Sequence, residues 1–205
     1  MTECRFCEIV NCKEHTEFDY VIYETSNFVV TPTKGGFVKG YVLILSKRHK
    51  NSMLLFDKNE KDELVGLVDI IRRRLEKKFS FSPLIFEHGD TLEHSELSAN
   101  SIVHAHIHVI PHKLKDTSFL RELKMNKMDK FENYLEQSCS IPYLMFCDND
   151  YNTYYKNIKE KTESQLFRKI IANDAKMHSF WNWKEHDFIE NISETVKIYK
   201  EIFYE

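Results

Sequence analysis

Residues 101–111 read SIVHAHIHVIP, and the reading of this stretch decides the fold. Small or apolar residues alternate there with His104, His106 and His108. In a β-strand, positions i, i+2 and i+4 share one face. The alternation predicts a strand over Val103–Ile110. Its three imidazoles would line one surface, with Ala105, Ile107 and Val109 turned into a core. Three readings of that surface stand open: a solvated polar face, a metal site, and a phosphate-handling nucleophile.

Working outward, GYVLILSK (Gly40–Lys47) is almost continuously apolar and reads as a central strand. Tyr20–Thr25, Asn27–Thr33 and Pro83–His88 read as further strands, with a turn at Lys34-Gly35-Gly36. Asp57-x-x-Glu60 resembles a capping box, and Leu64, Leu67, Val68, Ile71 and Leu75 follow at helical spacing as far as Phe79. The order β-β-β-α-β-loop-β predicts an α+β fold, an antiparallel meander of about five strands with packed helices. Farther on, residues 117–137 are polar and read as helical, and Ile141–Cys147 reads as an extra strand. Thr162-x-x-Gln165 precedes Leu166, Phe167, Ile170 and Ile171, and Asp187-x-x-Glu190 precedes Ile192, Val196, Tyr199 and Phe203. Each predicts a capped amphipathic helix. The chain divides on this reading into a catalytic unit, residues 1–115, and a mostly helical extension, residues 116–205, packed on it.

At 205 residues the chain suits one domain with an appendage. Its formal net charge of −3 excludes a strongly basic protein that binds nucleic acid through bulk charge but leaves a local basic cleft open, so a nucleic-acid partner is possible but unsupported. No run of about 18 apolar residues exists, and Met1-Thr2-Glu3-Cys4-Arg5 does not open a signal peptide. We therefore expect no membrane partner and a cytoplasmic location. In that compartment the five cysteines read as thiols or metal ligands rather than as a disulfide framework.

The triad resembles the signature of the histidine-triad (HIT) superfamily, His-x-His-x-His followed by two apolar residues. Asn100-Ser101-Ile102-Val103 sits where that family has a Gln-Ser/Thr-Val segment, and GYVLILSKRH (Gly40–His49) is similar to its Gly-His-x-Leu-x-Ile-Pro-Lys-x-His strand. Cys4-Arg5-Phe6-Cys7 resembles the Cys-x-x-Cys of its zinc-bearing branch. The resemblance covers roughly residues 4–115. Beyond it, SQLFRKII and WNWKEHDFIEN resemble C-terminal segments of longer relatives such as the splicing-associated CwfJ-like proteins.

The resemblance implies a HIT-like fold and a nucleotide hydrolase. His106, the middle histidine, would attack the α-phosphate of a nucleotide and form a nucleotidyl-histidine that water hydrolyses. His108 would hold phosphate oxygens or help the leaving group, and Ser101 and Asn100 would supply hydrogen bonds. A third histidine, where transferase and phosphorylase branches have Gln, implies water as the acceptor. In the zinc-bearing branch the ligands correspond to Cys4, Cys7, His49 and His104, a closed set that reads as structural zinc. Phe28, Val30 and Pro32 are expected to pack against a base, and such relatives often pair as homodimers. The alternatives are a nucleotidyltransferase or phosphorylase of the same superfamily, and a zinc-stabilised nucleotide- or RNA-binding module without turnover.

The chain departs from the family pattern in three places. Tyr41 replaces a histidine, Ser46 a proline, and Glu87 stands where the family has Asn, with His88 beside it. Trp181 and Trp183 read as core residues, and Arg72-Arg73-Arg74 as a solvated helix face. Nothing in the sequence brings Arg168, Lys169 or Lys184 to the site.

Overall fold

The apolar strand segments pair into a sheet covered on both faces. The structure, a computed structural model, describes residues 4–11 and 20–204. Its strands are β1 (Tyr23–Glu24), β2 (Phe28–Pro32), β3 (Val42–Ser46), β4 (Leu84–Gly89), β5 (His106–Ile110), β6 (Asn126–Met128), β7 (Tyr143–Cys147) and β8 (Thr153–Asn157). They lie in the order β1-β2-β3-β5-β4-β7-β8-β6, antiparallel throughout. The α+β class and antiparallel sheet are as expected, but the sheet has eight strands rather than about five. The last three lie beyond residue 115 and join at β4, through pairs such as Phe86↔Phe146. The sheet is thus continuous across the expected division of the chain.

The helices are α1 (Arg5–Asn11), α2 (Lys58–Phe79), α3 (Ser118–Glu122), α4 (Phe131–Leu135), α5 (Leu166–Asp174) and α6 (Ile189–Tyr204). α2 starts where its sequence says. The Asp57 side chain accepts from the Glu60 N–H, and Glu60 accepts from the Asp57 N–H. Ser80, in left-handed backbone at φ 63°, ends the helix. The stripe Leu64, Leu67, Val68, Ile71 and Leu75 is buried against Val42, Ile44, Ile107 and Val109 on one sheet face. Each such side chain taken out of water contributes about 1.5–3 kcal/mol. On the other face, Leu43, Leu45 and Phe86 pack with Phe6 and Ile9 of α1 and with Phe167 and Ile171 of α5. This second face carries the histidines, since Leu43 pairs with His108 and Leu45 with His106.

Four local expectations are corrected. β5 starts at His106, and His104 lies in a bend before it, so the three imidazoles do not share one strand face. Residues 117–137 form α3, β6 and α4 rather than one helical stretch, because Lys124 turns left-handed at φ 54°. Gln165 is also left-handed, at φ 60°, and α5 has no side-chain cap, so the expected Thr162/Gln165 capping box is absent. β8 was not expected at all. It follows a turn in which Asp148 Oδ1 accepts from the Asp150 and Asn152 N–H groups, at 3.0 and 2.9 Å. Among the described residues no helix is long and apolar enough to cross a membrane.

Candidate active site

Cys4, Cys7, His49 and His104 come together although they are far apart in the chain, with ligand atoms all within 4.8 Å of one another. The Cys4 Sγ–His104 Nδ1, Cys7 Sγ–His49 Nδ1 and Cys7 Sγ–His104 Nδ1 distances are 3.4, 3.3 and 3.6 Å. Bonds of about 2.3 Å to sulfur and 2.0–2.1 Å to nitrogen place tetrahedral ligands about 3.4–3.8 Å apart, so these three separations are close to those of a zinc site. His104 is oriented from behind, its Nε2–H donating to the Ser46 carbonyl at 2.8 Å. Burial pushes its pKa down to about 4, leaving a neutral imidazole. Ser46, in place of proline, donates its N–H to the Ala105 carbonyl at 3.2 Å, a bond proline lacks the proton to make. The cluster can hold a metal ion, and it fastens α1 beside β5.

A pocket of about 580 Å³, counting its open mouth, lies over His106 and His108. The His106 ring meets Phe6 of α1 edge-on at 5.0 Å. Its Nδ1–H donates to the His104 carbonyl at 2.6 Å, which fixes the tautomer and leaves a lone pair on Nε2. Burial lowers its pKa to about 4 against the pull of that carbonyl, so the ring is neutral at pH 7. His108 stacks on Phe86 at 4.3 Å. Its Nδ1 lies 2.6 Å from the Tyr41 hydroxyl, which accepts from Arg168 Nη1 at 3.0 Å. The guanidinium only donates, so the phenolic proton goes to His108 Nδ1 and the histidine carries its own proton on Nε2. Burial, then His106 and Arg168, hold the His108 pKa well below its ordinary value.

Sequence-selected residues divide on this map. His106, His108, Asn100, Ser101 and Pro32 line the pocket. Phe28 and Val30 do not: β2 turns both into the core beneath α2, and only its end, Thr31 and Pro32, reaches the pocket. Strand alternation likewise sends Glu87 to the opposite face, where Met53 N–H and the Tyr134 and Tyr143 hydroxyls donate to it. His88 faces the pocket instead.

Three lining residues come from the extension. Trp183, expected as core, lines the mouth, and its Nε1–H donates to Ser101 Oγ at 3.2 Å. It lies so close over Gly35 that an added Cβ would sit 2.6 Å from the Trp183 backbone, and Gly35 is left-handed at φ 72°. Arg168 and Gln165 complete the wall. Arg168, 2% exposed, also donates to the carbonyls of Trp181 and Gly35, at 2.9 and 2.6 Å. Among the described residues the pocket is lined by Arg5, Lys34 and Arg168 and by no carboxylate, in a chain of net charge −3. Among the described residues, buried side-chain polar atoms without a partner are His88 Nε2, both amide atoms of Asn100, Gln165 Oε1 and Arg72 Nε. All but the last belong to pocket-lining residues. Buried polar groups are normally paired, so this concentration marks a place where a ligand supplies partners.

No family model matches the chain, and no curated protein does. Among solved structures it is similar to a hypothetical histidine triad nucleotide-binding protein from Sulfolobus tokodaii, at 17% identity over 98% of this chain and 96% of that one, TM-score 0.45. It is similar to a Zn-bound histidine triad family protein from Mycobacterium smegmatis, at 20% identity over 56% and 78%, TM-score 0.43. A member of the HIT family from Bacillus subtilis is 22% identical over 54% and 73%, TM-score 0.44. Each is a likeness only, and the chemistry proposed below rests on the pocket's own atoms.

Proposed function

We propose that the chain is a nucleotidyl hydrolase. His106 Nε2 attacks the α-phosphorus of a nucleotide, forming a P–N bond as the bond to the leaving group breaks. His108 Nε2–H donates to the phosphate or to the departing atom. Water then attacks the same phosphorus, the P–N bond breaks, and the electron pair returns to Nε2. The observation that carries this reading is the 2.6 Å bond from His106 Nδ1–H to the His104 carbonyl. It leaves one neutral, oriented lone pair in a pocket rich in cations and unpaired polar atoms. Ser101 and Asn100 serve as hydrogen-bonding residues in the same scheme. Zinc, when bound at Cys4, Cys7, His49 and His104, would supply structural rigidity to the wall formed by α1.

The extension's likeness to CwfJ-like proteins belongs to this reading too. What supports it is that SQLFRKII and WNWKEHDFIEN carry Gln165, Arg168 and Trp183. A cytoplasmic site is supported by the four described cysteines all being free. The homodimer is also a proposal. β4 pairs with β7 of the same chain, so β1 and β6 are the outer strands left for a partner copy. The test of activity is release of nucleoside monophosphate from phosphoanhydride and phosphoramidate substrates by metal-loaded protein. We expect turnover that His106→Ala abolishes. Binding without turnover would replace hydrolysis with the binding-module reading.

A further inference from the structure

The extension puts a second, differently built corner into the pocket. Arg168 is buried, yet among the described residues its acceptors, the Tyr41 hydroxyl and the carbonyls of Trp181 and Gly35, are all neutral. A guanidinium carries five N–H groups, so two remain. A buried cation without a carboxylate partner calls for an anion from elsewhere. The same helix, α5, begins without a side-chain cap, so its first-turn N–H groups add positive character. His88, 4% exposed, stacks on Phe167 of α5 at 5.1 Å, and its Nε2 has no partner. Gln165, 7% exposed, stands at the helix start, where its Nε2–H donates to Asn182 Oδ1 at 3.3 Å.

We propose that the start of α5, with Arg168 and His88, is a subsite for a second phosphate bonded to the one at His106. The ligand is then a nucleoside di- or triphosphate or a dinucleoside polyphosphate, and not a phosphoramidate of a neutral amine. This rests on the nucleotidyl-hydrolase reading. The P–O bond on the far side of the α-phosphorus breaks, its electron pair leaves on the bridging oxygen, and Arg168 holds the departing phosphate anion. No reagent other than water is needed.

Calorimetric titration of metal-loaded protein with AMP and α,β-methylene-ADP, and with the guanosine pair, reads this without turnover. Hydrogen bonds to a charged phosphate predict that the diphosphate binds at least about tenfold tighter than the monophosphate. Arg168→Gln should bring the two affinities together. If Arg168→Gln fails to fold, Gln165→Glu decides, because a carboxylate at the helix start repels a second phosphate held there and narrows the preference for the diphosphate. Equal affinity for both ligands in the wild type overturns the subsite and leaves nucleotide binding intact. A preference unchanged in Gln165→Glu also overturns it. If neither ligand binds, the nucleotide reading falls and takes the subsite with it.

Discussion

Tyr41→Phe cuts the link between the two parts of the chain at a single oxygen. The Tyr41 hydroxyl lies between Arg168 Nη1, at 3.0 Å, and His108 Nδ1, at 2.6 Å. The side chain is fully buried, so water does not take the lost oxygen's place without repacking. Each stranded buried partner costs about 1–3 kcal/mol, which gives a loss of about 2–6 kcal/mol before relaxation. In a chain of 205 residues each kcal/mol lowers Tm by about 2–4 °C, so we expect a fall of about 4–24 °C. Activity should fall as well, because His108 no longer has its Nδ1 held as an acceptor and Nε2 loses its assured proton. A positioned acid contributes about 10²–10⁴ in rate, and a drop of at least about tenfold in kcat, with KM little changed, is expected. Tyr199→Phe is the control, since among the described residues that hydroxyl reaches only the Gly40 carbonyl, at 3.3 Å. Urea unfolding and steady-state kinetics measure both effects. A Tyr41→Phe protein within about 0.5 kcal/mol of wild type and with unchanged kcat would refute the relay.

Glu87 gives a pH-dependent stability. Burial pushes its carboxyl from an ordinary 4.5 up to about 7 despite three donors. The folded state then holds the proton more tightly than the unfolded chain, so stability is full below pH 4.5 and is lost as pH rises to about 7. At 1.36 kcal/mol per unit the loss is about 3 kcal/mol; the buried histidines, held below their ordinary pKa, contribute with the opposite sign, so between pH 5 and pH 8 wild-type unfolding free energy should fall by about 2–3 kcal/mol relative to that of Glu87→Gln. Protein purified without added metal should hold about one zinc per chain. Chelation should lower Tm and weaken nucleotide binding, because α1 and the Phe6 wall are released. A chelator-treated protein with unchanged Tm would count against the metal cluster.

Much of the central sheet is legible because each segment carries its own signal. GYVLILSK is too apolar to lie outside a core, and Asp57/Glu60 announces α2 before its leucine stripe begins. The direction of individual side chains is less legible in β2 and β4. Both are buried on each face, so no polar alternation tells Phe28 and Val30 from Val29, or Glu87 from His88. β8, TYYKN, has neither a Val/Ile run nor clean alternation, and only the Asp148-Asn149-Asp150 turn before it hinted at a hairpin. Within the site, His104, His106 and His108 declare themselves by spacing. Arg168 does not, because its meaning comes from Tyr41, 127 residues away in the chain. Trp183 is equally silent until its ring is seen against Ser101.

The central claim is a covalent nucleotidyl group on His106 Nε2, and rapid quenching tests it most directly. Metal-loaded wild-type protein is mixed with α-phosphate-labelled nucleoside polyphosphate, quenched in base within one turnover, and mapped by peptide. The account predicts acid-labile label on the peptide bearing His106, formed before monophosphate appears and missing in His106→Asn. Monophosphate accumulating in the first turnover with no label on that peptide, or near wild-type turnover by His106→Asn, would contradict it.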